Sequence, residues 1–157
     1  MKLPKSARLH HRSLQERLFL EGNKLHEYPL KLIWRALSEE DLERNFRASV
    51  PDLIGPLQVL VSVPKKKRRR AVDRVLMRRR IREAFRRGRG PLLDVIAALP
   101  EVRTVSVGLV YMKESNVKYA EISGKLEKLL EKLGNKLKEQ NGSQANESAD
   151  KITDTAG

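Results

Sequence analysis

The sequence predicts an α+β protein built on one main domain. Apolar side chains alternate with period two in three segments, which predicts β-strands, and they recur at helical spacing in others. A chain of 157 residues is also long enough to bury a substantial hydrophobic core in one domain. Together these observations favour a fold that combines a sheet with helices.

Three segments are predicted to be strands because apolar and polar side chains alternate along them. They are residues 30–35, 57–63 and 104–112. In the first segment Trp34 falls on the same face as Leu30 and Leu32. Lys31 falls on the opposite face, and Pro64 ends the second segment.

The first predicted helix lies near the start of the chain. Leucines at helical spacing indicate an amphipathic helix over residues 13–19, with Ser13 as the N-cap and Gly22 as the stop. A capping-box pattern at residues 38–41 predicts a further helical turn. Two prolines and a glycine in residues 51–56 then predict a loop or a variable insertion.

The last predicted helix carries a regular leucine stripe. It spans residues 119–133 and has Gly134 at its expected C-cap. Residues 135–157 are rich in charged and polar side chains and have almost nothing to bury, which predicts a disordered polar tail. The predicted folded domain is therefore residues 1–134.

Composition excludes several classes of protein. The chain has no cysteine, which excludes a disulfide scaffold and a thiolate metal site and is compatible with the cytoplasm, where we expect the protein to act. No long apolar segment follows the charged N-terminus, so we expect no export signal. The longest apolar run, residues 95–99, is far shorter than the roughly 20 residues of a membrane span, so we expect no membrane partner.

The sequence shows no pattern of residues typical of a catalytic or metal-binding site. His10 and His11 lie in a basic arm, where histidines are more often solvated or in contact with phosphate than bound to metal, and His26 stands apart from them. The acids at residues 39–41 are explained by the capping box. We therefore predict no catalytic residue and no metal site on the protein.

The charge of the chain is concentrated in one segment. Residues 64–90 contain 14 Lys or Arg and two acids, so they hold +12 of the formal net charge of +13. Such a segment favours a polyanionic partner, through counterion release and long-range attraction. An isolated basic run such as residues 65–70 is more often a solvated surface or a nuclear-import signal, so the run alone does not decide the function.

Residues 71–87 sort onto two faces of a predicted helix. The apolar face is expected to pack on the core and consists of Met77, Ile81, Ala84 and Phe85. Arginines recur on the other side: Arg74, Arg78, Arg82 and Arg86, with Arg79 beside them. Arginine binds phosphate through a planar, permanently charged fork. A helix anchored on one side and lined with arginine on the other is typical of a surface that docks RNA or DNA.

At these residues the sequence resembles the bacterial ribonuclease P protein family. The run V-S-V-P-K-K at residues 61–66 and the run A-V-D-R-V-L-M-R-R-R-I-R-E-A-F at residues 71–85 are similar to the family pattern. That pattern is S-V-x-K-K, a short basic loop, then A-V-x-R-N-x-x-K-R-x-x-R-E-A-F. Val75 replaces the family's asparagine, and Arg78 replaces its lysine. The resemblance extends over residues 8–134.

The resemblance implies a fold and a function. The fold is a two-layer α/β sandwich with a four-stranded sheet and a left-handed βαβ crossover, in which the fourth strand is short or lies within residues 38–56. The protein would act as a monomer in a 1:1 complex with ribonuclease P RNA and would bind precursor tRNA. The RNA subunit would hydrolyse the precursor with Mg²⁺ held by the RNA and the substrate, releasing the 5′ leader.

The resemblance also implies two sets of binding residues. The set expected to bind RNA is Lys65, Lys66, Lys67, Arg68, Arg70, Arg74, Arg78, Arg79, Arg82 and Arg86. The set expected to line a central cleft for the leader strand is Phe19, Lys31 and Trp34. An aromatic ring in that cleft could stack on an unpaired base, although core packing is the usual role of a lone aromatic side chain.

Two alternatives remain open from sequence. The chain could be a ribosomal or architectural RNA-binding protein unrelated to a ribozyme, or a membrane-surface or nuclear-targeted protein that uses the run at residues 65–70. Selective binding of one structured RNA over bulk tRNA and liposomes would separate these readings.

Overall fold

A computed structural model describes residues 3–47 and 49–156, and the side chains of residues 3–47 and 49–140. A 3-10 turn at Lys5–Ala7 precedes nine elements: α1 (Arg12–Glu21), β1 (Asn23–Glu27), β2 (Leu30–Leu37), α2 (Glu39–Asn45), β3 (Leu57–Ser62), α3 (Ala71–Gly88), α4 (Gly90–Ala97), β4 (Thr104–Tyr111) and α5 (Tyr119–Ala156). The strands form one sheet in the order β1-β2-β4-β3. Neighbours are antiparallel except β3 and β4, which are parallel and joined through α3 and α4. The predicted four-stranded sheet and βαβ unit are confirmed, and the hand of the crossover stays a prediction.

The main core lies between one face of the sheet and the layer formed by α3, α4 and α5. Trp34, Val107 and Val59 form one row of this face across β2, β4 and β3, and each is buried. The predicted apolar stripe of α3 is confirmed. All of its members are buried: Met77, Ile81, Ala84 and Phe85.

The other face of the sheet carries a smaller core under α1 and α2. Leu14 and Leu18 of α1 pack there with Ile33 of β2 and Leu42 of α2. The predicted capping box starts α2 because the Asp41 backbone N–H donates to Ser38 Oγ at 3.1 Å and the Ser38 N–H donates to the Asp41 carboxylate at 3.0 Å. Of the acids of this segment, Asp41 forms the cap, while Glu39 and Glu40 form salt bridges of 3.2 and 3.3 Å with Arg103 and Arg44.

The first helix is longer than predicted and starts differently. It begins at Arg12, so the prediction of Ser13 as N-cap is wrong; the hydroxyl of Ser13 instead accepts a hydrogen bond from Asn45 Nδ2 at 2.9 Å. Gly22 does cap the end, and its N–H donates to the Leu18 carbonyl at 2.8 Å. A Cβ at Gly22 would lie 2.4 Å from that carbonyl oxygen, so glycine is required by close approach.

The sequence patterns did not locate one strand and one helix of the structure. The fourth strand is β1 at Asn23–Glu27, so of the two alternatives expected, the short strand is found and the place within residues 38–56 is not. The helix α4 begins with Pro91 in its first turn and buries Leu92 and Ile96. Proline in the first turn and apolar residues four apart were the available signals for α4.

The prediction that Gly134 caps the last helix is wrong. Gly134 does not have the positive φ of a glycine cap, and α5 continues past it to Ala156. The apolar repeat also continues, because Leu137 is 2% exposed and belongs to the main core. The predicted disordered tail is therefore wrong for residues 135–140. For residues 141–157, whose side chains lie outside the described residues, disorder stays a prediction.

Candidate nucleic-acid interface

The basic segment follows directly from the end of β3. After Ser62 the chain turns at Pro64, whose carbonyl accepts hydrogen bonds from the N–H groups of Lys67 and Arg68 at 3.0 and 3.1 Å. This turn and the residues up to Arg70 form the basic loop, residues 64–70, which leads into α3. Burial of the apolar stripe fixes the rotation of α3, so its arginines lie on the sides that the core leaves open.

The arginines predicted to line the open side of α3 divide into two groups. Among the described residues, Arg78, Arg79 and Arg82 take part in no salt bridge, and Arg79 and Arg82 are exposed. Arg86 instead binds Glu83 through two hydrogen bonds of 2.9 and 2.7 Å. Arg74 donates to the carbonyls of Arg68 and Arg69 at 3.0 and 2.7 Å. The structure therefore brings three predicted residues together as available cations and gives Arg74 and Arg86 partners within the protein.

Arg82 lies in a locally positive environment. Partial burial lowers the pKa of Arg82, and the neighbouring charges of Arg78 and Arg8 lower the pKa further. Arg8 reaches this place because its backbone bridges to Val59 on the outer edge of β3. Arg8 was not among the predicted RNA-binding residues, and its position near the start of the family resemblance was the available signal. Neighbouring positive charges of this kind favour the binding of a polyanion.

The basic loop surrounds an open pocket of about 560 Å³. Its lining residues are Lys66, Lys67, Arg68, Arg69, Arg70, Asp73 and Glu114. Lys65, Lys66 and Arg70, which were predicted to bind RNA, are exposed, and Lys67 is half-buried. Arg68 differs, because its side chain is 18% exposed and forms a salt bridge of 3.0 Å with Asp73. The loop thus presents a group of accessible cations beside one cation that is already neutralised.

An open strip of sheet lies on the side opposite the main core. Lys31, Val110 and Ser62 are neighbours across β2, β4 and β3, and all three are half-buried. Beside this row, Leu18 of α1 packs close to Gly108, and the ring of Phe19 also approaches Gly108. Phe19 is 46% exposed. Lys31 and Phe19 thus lie on the same open face, and their role in a leader cleft stays a prediction.

Trp34 does not belong to this strip. It alternates with Lys31 along β2, so it points into the main core and is 2% exposed. A base cannot stack on a ring that is enclosed by core side chains. The prediction that Trp34 lines one cleft with Lys31 and Phe19 is therefore wrong.

The histidines have no metal-binding arrangement. The rings of His10 and His11 are 4.3 Å apart, and His11 packs edge-on against Phe46 at 5.3 Å. Partial burial, with the charge of His10, lowers the pKa of His11. Within the described part of the chain, no three His, Asp or Glu side chains lie together as metal ligands. In the same part, no helix is long and apolar enough to cross a membrane.

These features define an α+β protein with exposed arginines on α3 and an open strip on the opposite face of its sheet. The sequence model of the Ribonuclease P family matches residues 3–134, and the chain belongs to this family. It is 38% identical over 94 residues to the ribonuclease P protein component of Porphyromonas gingivalis strain ATCC 33277, and 36% identical to that of strain W83. The chain spans 60% of the length of these curated relatives, and the match covers 60% of the chain.

Solved structures of ribonuclease P proteins share the fold. The Staphylococcus aureus protein superposes with a TM-score of 0.55 at 16% identity, covering 81% of this chain and 94% of that protein. The Thermotoga maritima protein gives a TM-score of 0.55 at 21% identity, covering 80% and 96%. The expected four-stranded α+β fold is thus found both in this chain and in these proteins.

Proposed function

We propose that this chain is the protein subunit of a ribonuclease P, an accessory to a catalytic RNA in maturation of the 5′ ends of tRNA. In this proposal it binds ribonuclease P RNA as a monomer in a 1:1 ribonucleoprotein in the cytoplasm. It also binds precursor tRNA, so it contributes to an endonuclease without supplying the reacting groups.

The concentration of charge on α3 and the basic loop is the observation that carries this proposal. Residues 64–90 hold +12 of the net charge of +13, and Arg78, Arg79 and Arg82 have no acidic partner within the described residues. Phosphates would supply the missing counter-charges, with bidentate hydrogen bonds to guanidinium groups. Membership of the Ribonuclease P family makes a catalytic RNA the favoured partner.

The open strip of sheet suits a second, single-stranded ligand. Phe19 offers an exposed ring for stacking, and Lys31 offers a cation on the same face. Single-stranded nucleic acids are bound by this combination of aromatic rings and basic grooves. We assign this strip to the 5′ leader of precursor tRNA, with Phe19 and Lys31 as its contacts.

The chemistry is assigned to the RNA. The described residues include no group of three His, Asp or Glu side chains that could hold the Mg²⁺ that hydrolysis would use. The Mg²⁺ would be held by the RNA subunit and the substrate. The residues of this chain would bind, orient and neutralise the phosphates of the two RNAs.

Reconstitution tests the proposal. The purified protein is added to a transcribed bacterial ribonuclease P RNA, and cleavage of a precursor tRNA is measured at low Mg²⁺, where added positive charge should matter most. We expect cleavage at the 5′ end of the mature tRNA with both components and none with the protein alone. Equal binding to this RNA and to bulk tRNA, without stimulated cleavage, would instead favour a ribosomal or architectural RNA-binding protein.

A further inference from the structure

A half-buried carboxylate joins the basic loop to a distant part of the chain. Asp73, in the first turn of α3, has one carboxylate oxygen 3.0 Å from Arg68 Nη2. Its other oxygen accepts a hydrogen bond of 3.0 Å from Asn116 Nδ2, 43 residues away. Arg68 Nη1 also donates to the carbonyl of Glu114. We call these contacts of Arg68, Asp73, Glu114 and Asn116 the loop clamp.

Within the loop clamp the Arg68–Asp73 ion pair is partly shielded from water, whereas Glu114 and Asn116 are exposed. The side chains of Arg68 and Asp73 are each 18% exposed, whereas exposed salt bridges elsewhere, such as Arg12 with Glu16, have side chains 90% and 60% exposed. Shielded ion pairs with additional hydrogen bonds are held more firmly than exposed ones. A guanidinium group that is enclosed and neutralised in this way is a poor contact for a phosphate of a partner.

The surrounding loop needs such an anchor. Residues 65–70 are six consecutive cations, which repel one another. Asp73 is the acid of residues 64–90 that lies at this end of α3, and Arg74 adds hydrogen bonds to the carbonyls of Arg68 and Arg69. These contacts hold the loop in one conformation although its own charges favour spreading.

We propose that Arg68, Asp73 and Asn116 are positioning residues, which hold the basic loop in the conformation that binds RNA and do not themselves contact RNA. The proposal reassigns Arg68 from RNA contact to internal anchor. The RNA contacts of the loop are then Lys65, Lys66, Lys67, Arg69 and Arg70. The inference rests on the proposed function in that it concerns the same RNA-binding surface.

The proposal predicts an effect opposite in sign to simple electrostatics. Asp73→Asn removes a negative charge from the pocket, so attraction to RNA alone predicts tighter binding. If the loop clamp positions the loop, loss of the ion pair frees the loop, and binding weakens by about three- to tenfold because more side chains must be ordered on binding. Glu114→Gln is the matched control, because Glu114 lines the same pocket but takes part in the loop clamp through its backbone carbonyl.

The experiment measures affinity for transcribed ribonuclease P RNA and for bulk tRNA, with amide hydrogen exchange of Lys67 and Arg68 in the free protein. We expect Asp73→Asn to weaken binding and speed exchange, Asn116→Ala to do the same to a smaller extent, and Glu114→Gln to do neither. Thermal unfolding of each variant shows that it is folded at the assay temperature. Because Asn116→Ala changes no charge, it separates loss of positioning from a change in net charge.

Two results would overturn the proposal: folded Asp73→Asn protein that binds RNA as tightly as the parent or more tightly, or wild-type exchange rates at Lys67 and Arg68 in that variant. Failure of the proposed function looks different. In that case the parent protein shows no preference for ribonuclease P RNA over bulk tRNA, and the comparison of Asp73→Asn with Glu114→Gln on bulk tRNA decides the role of the loop clamp.

Discussion

The arginines of α3 differ in what their guanidinium groups contact. Arg79 is exposed and has no acidic partner within the described residues, whereas Arg86 forms two hydrogen bonds with Glu83. Glu83 also binds Arg87 at 2.7 Å, and Arg87 lies over the ring of Tyr119. Equal formal charge on neighbouring turns of one helix therefore does not give equal capacity to bind a phosphate.

Replacement of single arginines should reveal this difference. Arg79→Ala should weaken RNA binding and lower the slope of log K against log salt by about one unit, the amount expected for one lost phosphate contact. Arg86→Ala should change the slope less, because Glu83 already neutralises much of that charge. Binding measured between about 50 and 300 mM salt, at constant temperature and Mg²⁺ concentration, tests both predictions. Identical slopes for the two variants would contradict the division into two groups.

Glu83 should make stability depend on acidity. Its hydrogen bonds to Arg86, and then to Arg87, lower the pKa of Glu83 from 4.5 to about 2. A lowered folded-state pKa gives a stabilising contribution that is fully present above about pH 4.5 and is lost as the pH falls towards 2. The difference in unfolding free energy between the parent and Glu83→Gln should therefore shrink across this range in urea titrations. A difference that is independent of pH would contradict the assigned cause.

At the scale of elements, the side chains of β2 alternate between two faces of the sheet that have different surroundings. Lys31 lies on the open strip with Phe19 of α1 beside it, while Trp34 lies in the main core. The two faces of one strand therefore carry the proposed leader contact and the core packing separately. Phe19 is the aromatic side chain that combines exposure with a place on the open strip.

Substitutions on these two faces should have different effects. Phe19→Ala should weaken binding of a single-stranded leader roughly 5- to 150-fold, since base stacking contributes about 1–3 kcal/mol, and should change stability little. Leu20→Ala is the matched control, because Leu20 is the next residue of α1 and is 82% exposed. Trp34→Ala should cost about 3–5 kcal/mol of stability through the cavity it leaves. Fluorescence anisotropy with a labelled leader and thermal unfolding test these effects, and equal loss of affinity in Phe19→Ala and Leu20→Ala would remove Phe19 from the site.

Local patterns predicted the elements that alternation or helical spacing specifies. β2, β3 and β4 have period-two apolar residues, and the stripe of α3 was correct in every member. β1 has the sequence N-K-L-H-E, with one apolar residue, so no periodicity marks it. It forms because it pairs with β2 and because its Glu27 reaches Lys132 of α5 at 2.8 Å, a contact 105 residues away. Single-sequence patterns carry no signal for contacts of this kind.

The candidate site was predicted in its charges but not in its internal contacts. Helical spacing placed Arg78, Arg79 and Arg82 on one side of α3, which the structure agrees with. The contacts of Arg68 and Asp73 involve Glu114 and Asn116, which follow β4 and are more than 40 residues away in sequence. Tertiary contacts therefore decide which cations are neutralised within the protein.

At the scale of the whole molecule, α5 contacts both the main core and an edge strand of the sheet. Its inner face packs along the main core with α3 and α4, and Lys125 and Lys132 both bind Glu27 of the edge strand β1. The hydrogen bond from Lys132, with the charges of Lys132, Lys125 and Lys128, lowers the pKa of Glu27. The carboxylate of Glu27 therefore resists protonation. The helix thereby holds the edge strand to the layer that carries the arginines of α3.

The end of the folded unit can be located by truncation. The family match ends at residue 134, but Leu137 is 2% exposed in the main core, so the folded unit should extend beyond the match. Truncation after Gly134 should lower the unfolding free energy by about 2–5 kcal/mol, the usual cost of losing a buried leucine side chain, and Leu137→Ala in the full chain should cost a similar amount.

Truncation after Gln140 keeps Leu137 and is the matched control. It removes the polar residues that follow and should leave both the unfolding free energy and RNA binding close to those of the full chain. Urea unfolding of the two truncations and of Leu137→Ala measures the differences. Equal stability of the two truncated chains would show that Leu137 contributes nothing to the core and would return the boundary to Gly134. A large loss on truncation after Gln140 would instead place residues 141–157 within the folded unit.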